Sequence, residues 1–207
     1  SYRPNHGTWM CLLPHAAAIQ HATITGTPLY ILMDDWEKFY DAVPFDIIAL
    51  CMRAGGCPAD GYVEYASEAL HQRKVWVSTP AGTTPDITHT CGFLQGSAFS
   101  CCAVNFVVAT LHRLWATTGA KYPFSATTPE ACLSMLGYCD DNCAYADAFT
   151  DLLSLEGKFG AFSMTSRVGR NTTPKKGAKV YAHNAAADPT WVNANKPNHI
   201  ESTAWAR

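Results

Sequence analysis

Two kinds of hydrophobic pattern alternate along this chain and predict a mixture of helices and strands. Apolar residues recur at helical spacing over residues 12–22, after Pro44, after Pro58, and over residues 97–115 and 147–164. Shorter apolar or alternating runs predict strands at residues 29–33, 75–79, 87–91 and 178–182, and a hairpin around Asp140 and Asp141. Residues 184–207 are polar and aperiodic, which predicts a loop, or an element whose partner is missing.

The helical spacing also predicts which side chains form the core. In the helix that follows Pro58, one face carries Tyr62, Tyr65, Ala66 and Leu70, and we expect the two tyrosines to be core residues. Over residues 97–115 the predicted apolar face comprises Phe99, Cys102, Phe106, Val107, Leu111 and Leu114. The pattern over residues 147–164 predicts an interrupted amphipathic helix.

The run at residues 29–33 is continuously apolar, as in a strand that is buried on both faces. It ends in Asp34 and Asp35. Carboxylates at the end of a buried strand are costly unless they are solvated, paired or bound to a metal ion. Strand exit into solvent and a functional site both remain open on this pattern.

The predicted hairpin presents Asp140 and Asp141 at its turn, between the apolar runs 132–136 and 143–146. Adjacent aspartates repel each other, so a cation or water must compensate their charge. Asp-Asp-Asn is also ordinary turn chemistry, so this pair alone does not identify a site.

Composition narrows the class of protein. The chain has 207 residues, 48% of them hydrophobic and 15% charged, which predicts a globular protein of one domain, or one and a half, without a linker. No apolar run reaches the roughly 18 residues of a membrane span, and residues 1–5 have neither the pattern of a signal-peptide core nor that of an amphipathic transit peptide. The nine cysteines are scattered and lie mostly in apolar runs, as free thiols do in a reducing compartment. We therefore expect an intracellular protein, nuclear or cytoplasmic, that is not secreted and has no membrane partner.

Charge and loops add little on their own. The net charge of −2 gives no support to nucleic-acid binding through bulk electrostatics. Cys139 and Cys143 flank the two aspartates but make a poor zinc site without further ligands. A glycine-flanked loop at residues 92–97 opens the long helix and could receive phosphate, and residues 169–177 form a basic turn.

Together, these segments resemble the palm of reverse transcriptases, especially those of non-LTR retrotransposons and group II introns. Residues 35–44, DWEKFYDAVP, resemble the family's D-x-x-K-A-F-D-x-V-P, and residues 92–100, GFLQGSAFS, resemble G-x-x-Q-G-x-P-L-S. Residues 138–141, YCDD, fit Y-x-D-D, and residues 173–176, TPKK, resemble N-P-K-K. Residues 3–4 and the helix after them resemble the segment that leads into the first catalytic strand. The likeness covers nearly the whole chain in the family's order.

The resemblance implies an α+β polymerase palm over residues 1–207, a small antiparallel sheet with helices packed on one face. It implies two Mg²⁺ or Mn²⁺ ions, for which Asp35 and Asp140 would be bridging ligands, Asp141 would assist, and the Trp36 carbonyl is a further candidate. Asp34 would be a bystander.

The same resemblance implies the nucleotide-binding residues. Tyr40 would exclude a 2′-hydroxyl, Gln95 would contact the nucleotide, and Gly96 would let the backbone approach the template pair. Lys176, or Lys175 beside it, would supply a positive charge or a proton near the leaving pyrophosphate. The implied partners are an RNA template, a DNA primer and deoxynucleoside triphosphates.

The sequence also departs from the family pattern. Phe39, Ala98, Cys101 and Thr173 stand where the family has Ala, Pro, Pro and Asn. Most of the fingers and the thumb have no counterpart in these residues, so we expect a fragment of a retroelement polyprotein that needs those segments. An inert palm serving as a structural or protein-binding module is the main alternative, and an RNA-directed RNA polymerase is a further one.

Overall fold

A computed structural model gives the fold and describes residues 7–71, 73–93, 97–128, 130–138, 140–171, 179–185 and the backbone of 201–204. The α-helices are α1 (Trp9–Thr25), α2 (Phe39–Ala42), α3 (Phe45–Ala54), α4 (Glu64–His71), α5 (Ala98–Ala116) and α6 (Phe149–Ser166), and a kinked π-helical turn, Ala59–Val63, precedes α4. The strands are β1 (Leu29–Asp34), β2 (Lys74–Val75), β3 (Ser78–Thr79), β4 (Gly82–Thr83), β5 (Ile87–Thr88), β6 (Tyr122–Pro123), β7 (Cys132–Leu133), β8 (Met135–Tyr138), β9 (Asp141–Ala146), β10 (Lys179–His183) and β11 (Glu201–Ala204).

The main sheet has five strands in the order β11-β10-β1-β9-β8. Strand β1 lies at its centre and pairs antiparallel with β10 and β9. Its continuous apolar run predicts burial on both faces, and Leu29 to Leu32 are buried. Strand β11 pairs parallel with β10, with Lys179 opposite Glu201. The prediction of a loop over residues 184–207 is therefore wrong at 201–204, because sheet pairing rather than apolar periodicity orders that strand.

The two faces of the sheet pack against different helices. Alternation along β1 places Tyr30 and Leu32 in the main core with α3, α4, α5 and α6. Leu29 and Ile31 point to the other face, where they pack with Ala18 and Ala22 of α1. The predicted α+β architecture is confirmed, with two departures: α1 covers the face opposite the other helices, and β11 makes the otherwise antiparallel sheet mixed.

The helix after Pro58 differs from its prediction. Asp60 and Gly61 have non-helical backbone angles, with φ of +89° at Gly61. The kink separates Tyr62 from the regular turns of α4. Tyr62 and Tyr65 are 48% and 71% exposed, so the prediction that they are core residues is wrong. Val63, together with Ala66 and Leu70, is buried instead.

Helix α5 is the long helix of the main core. Its buried residues are Ser100, Ala103, Val104, Val107, Val108, Leu111 and Trp115, and the Trp115 Nε1–H donates to the Ser134 carbonyl at 2.9 Å. Cys102, predicted to face the core, is exposed. Residues Phe99–Ala116 have a mean hydropathy of 1.3, so one described helix does have the length and composition of a membrane span, contrary to expectation. In this fold that helix packs between α3, α6 and the sheet.

Three smaller predictions can be compared directly. Helix α6 is continuous rather than interrupted. Strands β2 and β5, and β3 and β4, pair antiparallel and form the predicted hairpin around the Pro80 turn. The described cysteines are free thiols, although among them Cys51 alone is fully buried.

Candidate active site at one edge of the sheet

The predicted aspartate hairpin is present. Strands β8 and β9 pair antiparallel with Tyr138 opposite Asp141, which places Asp140 in the turn and Asp141 at the first position of β9. The apolar residues on either side of Asp140 and Asp141 form the two strands, and the two carboxylates lie at the end of the hairpin where the strands connect. The local sequence therefore predicted both the hairpin and the place of its acids.

The sheet brings Asp35 to this hairpin. The last registered pair between β1 and β9 is Asp34 with Asn142, so the next residue, Asp35, lies across from Asp141. Burial raises the pKa of Asp141, and the negative charges of Asp140 and Asp35 raise it further. Three carboxylates from two distant parts of the chain thus share one electrostatic environment.

These acids suit a hard divalent cation. Within the described ranges, none of Asp35, Asp140 and Asp141 belongs to an ion pair, so their mutual repulsion is uncompensated by protein cations there. The same ranges contain no cluster of three or more acidic, histidine or cysteine side chains arranged to hold a metal ion. Mg²⁺ commonly binds one or two carboxylates and takes its remaining ligands from water and substrate phosphates. The donor set fits such an ion, with water or substrate phosphates as its remaining ligands.

Asp34 points to the opposite face and is not solvated. It is 4% exposed, and its Oδ1 accepts hydrogen bonds from Arg170 Nε at 3.1 Å and Nη2 at 3.0 Å. The Arg170 guanidinium also donates to both carboxylate oxygens of Glu156, with Nη2 2.8 Å from Oε2. Burial raises the pKa of Asp34 to about 6, although the charge and hydrogen bonds of Arg170 oppose the shift. Solvent exit is thus the wrong explanation for this carboxylate, which belongs to a buried ion network.

The network lies where the basic turn meets β1. Gly169 accepts a hydrogen bond from the Glu37 backbone N–H at 2.8 Å, and Trp36 forms a β-bridge with Arg170. The Asn171 backbone N–H donates to the Asp35 carbonyl, and its Nδ2 donates to Asp35 Oδ2, both at 2.9 Å. The two backbone hydrogen bonds that flank this bridge are accepted by the Gly169 and Asp35 carbonyls.

Sequence reasoning missed Glu156, Arg170 and Asn171. One signal was available, because alternation along β1 places Asp34 on the same face as the buried Tyr30 and Leu32. A carboxylate on that face requires a cation. Nothing in the local sequence identifies Arg170, 136 residues away, as that cation.

Asn142 and His112 form a second polar group, which contacts the β8–β9 hairpin. The Asn142 side chain is buried, its Nδ2 donates to the Asp140 carbonyl at 2.8 Å, and its Oδ1 lies 3.3 Å from His112 Nε2. Burial lowers the pKa of His112, so the ring is neutral near neutral pH. A Cβ at Gly137 would lie 2.8 Å from His112 Nε2, which explains the glycine at this position.

Tyr40 sits beside the start of the glycine-flanked loop. Its ring is half-buried and meets Phe93 edge-on, with centroids 6.0 Å apart, and its carbonyl accepts a hydrogen bond from the Phe93 N–H. Gly92 has φ of +88°, and a Cβ there would lie 2.7 Å from the Asp41 carbonyl oxygen. Gln95, Gly96, Lys175 and Lys176 lie outside the described residues.

Comparison with known proteins supports the fold assignment. No protein family matches the sequence, and no curated protein is similar to it in sequence. The apo telomerase of Candida tropicalis, truncated from the C-terminal domain, is a structural neighbour with a TM-score of 0.61, 14% identity and coverage of 88% of this chain and 36% of that chain.

Two telomerases in complex with a TWJ fragment of telomeric RNA are similar as well. The Candida tropicalis complex has a TM-score of 0.60, 13% identity, and coverage of 86% of this chain and 29% of that chain. The Candida albicans complex has a TM-score of 0.58, 11% identity, and coverage of 84% and 30%. This chain spans about a third of the length of these telomerases. Since telomerase is a reverse transcriptase, the chain has a reverse-transcriptase-like fold.

Proposed function

We propose that this chain is the palm of an RNA-directed DNA polymerase and carries out template-directed nucleotidyl transfer. The observation that carries the proposal is the register between β1 and β9, which sets Asp35 across from Asp141 and next to the Asp140 turn. The three acids share one edge of the sheet and repel one another. A polymerase of this fold needs several carboxylates close together to hold the metal ions that catalyse nucleotidyl transfer.

Two divalent ions, Mg²⁺ or Mn²⁺, would supply activation of a primer 3′-hydroxyl and neutralisation of the departing pyrophosphate. Asp35 and Asp140 would hold both ions, and Asp141 and the Trp36 carbonyl are the further candidates. The described residues contribute mainly placement of the backbone that carries these acids, through the pairing of β1 with β9 and the hydrogen bond from the Asn142 amide to the Asp140 carbonyl.

The neighbouring residues would select the substrate. Tyr40 lies beside the loop that begins at Gly92, where its ring would exclude the 2′-hydroxyl of a ribonucleotide. Gln95 would contact the incoming nucleotide, and Gly96 would allow close approach of the template pair. Lys176, or Lys175, would place positive charge near the leaving pyrophosphate. The substrates are deoxynucleoside triphosphates, with an RNA template and a DNA primer.

The setting of the chain is part of the proposal. We place it in a polyprotein of a non-LTR or group II intron-like element, acting inside the cell with fingers and thumb segments of the same polypeptide. The Candida tropicalis telomerase in complex with telomeric RNA supports an RNA partner for this chain, since 86% of this chain shares the fold of that telomerase. The net charge of −2 makes additional basic segments necessary for tight binding of a primer-template.

Primer extension tests the function. A longer polypeptide that contains this chain is supplied with an RNA template, a DNA primer and deoxynucleotides, with Mg²⁺ or Mn²⁺. We expect extension that Asp140→Ala abolishes and that Asp147→Asn, just after the far end of β9, leaves unchanged. Failure of the wild-type protein with both ions would refute the polymerase and favour the inert module. Extension with ribonucleotides in preference to deoxynucleotides would instead indicate an RNA polymerase.

A further inference from the structure

Asn171 is the one described residue with side-chain and backbone hydrogen bonds to Asp35. Its amide Nδ2 donates to Asp35 Oδ2 at 2.9 Å, and its backbone N–H donates to the Asp35 carbonyl at 2.9 Å. Two bonds from one residue constrain both the backbone and the carboxylate of Asp35. Asn171 therefore orients the plane of the Asp35 carboxylate, and it does so from the side of the chain opposite β9.

The chemistry of the amide suits a carboxylate that must bind a cation. The Asn171 amide N–H occupies one lone pair of Asp35 Oδ2 and brings no charge. It therefore leaves the negative charge of the carboxylate unneutralised and Oδ1 available to a cation. A lysine or arginine at this position would neutralise Asp35 and compete with an incoming ion. By contrast, Asp34, which lies in the core, is paired with an arginine.

Asn171 is itself held in place by the ion network at its neighbour. Arg170, whose side chain is 14% exposed, connects Asp34 of β1 with Glu156 of α6. The Ser163 hydroxyl of α6 donates to the Val168 carbonyl at 2.7 Å, and Gly169 accepts from the Glu37 N–H at 2.8 Å. These contacts attach residues 168–171 to both α6 and β1, so Asn171 has little freedom to leave Asp35.

We propose that Asn171 is a positioning residue that orients the Asp35 carboxylate for a divalent cation, and that the Asp34–Arg170–Glu156 network holds Asn171 in place. This inference rests on the proposed function for the identity of the ligand as a divalent cation. Groups that hydrogen-bond a metal ligand typically contribute about 10–100-fold to metal affinity or activity. We expect an effect of that size at Asn171.

Direct Mn²⁺ binding tests the inference without catalysis. Electron paramagnetic resonance of free Mn²⁺ is recorded with wild type, Asn171→Ala, Asp35→Asn and a control, Thr165→Ala. The control removes one hydrogen bond of an exposed α6 residue, from the Thr165 hydroxyl to the Ala161 carbonyl at 2.8 Å. We expect Asn171→Ala to weaken Mn²⁺ binding about 10-fold or more, Asp35→Asn to abolish binding at that site, and Thr165→Ala to match wild type.

Two further measurements separate positioning from general stability. Thermal unfolding shows whether Asn171→Ala is folded at the assay temperature, and a metal titration of primer extension gives its apparent Mg²⁺ KM and kcat. Positioning predicts a raised KM for Mg²⁺ with kcat largely recovered at saturating metal. Wild-type Mn²⁺ affinity in folded Asn171→Ala, with binding lost in Asp35→Asn, would overturn this inference and leave the proposed function standing. Mn²⁺ binding that is insensitive to Asp35→Asn would overturn both.

Discussion

The buried ion network makes a strong prediction for stability. In Arg170→Met the guanidinium is removed, and the side chain of Asp34, 1% exposed, loses its cation. Removing one partner of a buried ion pair destabilises a protein by about 3–5 kcal/mol, because the other charge stays buried and unpaired. For a chain of this size that corresponds to a fall in Tm of about 6–20 °C.

The assay is urea unfolding followed by circular dichroism, with Asp34→Asn/Arg170→Met as the matched double variant. We expect the double variant to recover part of the loss, since it carries no unpaired charge at position 34. The pKa of Asp34 is already about 6 in the wild type, and loss of Arg170 raises it further. Protonation therefore relieves the buried charge, and the loss in Arg170→Met should be smaller at pH 5.5 than at pH 8.

The reasoning would be refuted by a loss below about 1 kcal/mol, which is the size typical of an exposed ion pair. A loss that is the same at pH 5.5 and pH 8 would also contradict it, because the effect would then not come from an unpaired carboxylate.

Three other predictions concern the hairpin and the nucleotide site. Gly137→Ala should reduce the free energy of unfolding by about 1–3 kcal/mol in urea titrations, because its Cβ would press on His112 Nε2, and a normal value would contradict this packing. Burial lowers the folded-state pKa of His112 below its usual value of 6.5. The stability that the neutral His112 ring contributes is therefore complete above pH 6.5 and is lost as the pH falls through the folded-state pKa. In urea titrations at several pH values, His112→Gln should abolish this part of the pH dependence. Tyr40→Val should raise ribonucleotide incorporation relative to deoxynucleotide incorporation about 10-fold or more in competition assays, and an unchanged ratio would remove Tyr40 from sugar selection.

Local patterns were enough for the elements that carry the candidate acids. The continuous apolar run at residues 29–33 predicted a strand buried on both faces, and in β1, the middle strand of five, all of these residues except Met33 are buried. The apolar runs around Asp140 and Asp141 predicted a hairpin, and β8 and β9 form it. Each of these features depends on residues within one element, so neighbouring positions in the chain contain the information.

Changes of phase within an element were harder to predict. Tyr62 has helical spacing with Leu70, yet the kink at Gly61 separates it from the regular turns of α4, and it is exposed. Strand β11 has no apolar periodicity and is ordered by hydrogen bonds to β10. In both cases the backbone, rather than the spacing of side chains, decides the outcome.

The chain's own pattern was sufficient for the strand, the hairpin and the acids at their ends, because apolar periodicity and turn chemistry act over a few residues. Only the folded molecule assigned the partners of those acids: Arg170 and Glu156 to Asp34, Asn171 to Asp35, and His112 with Asn142 to the Asp140 turn. Burial makes a charge costly wherever it lies, but which distant side chain compensates it depends on the register of the sheet and the path of α6. Those are properties of the whole fold, and no local window of the sequence contains them.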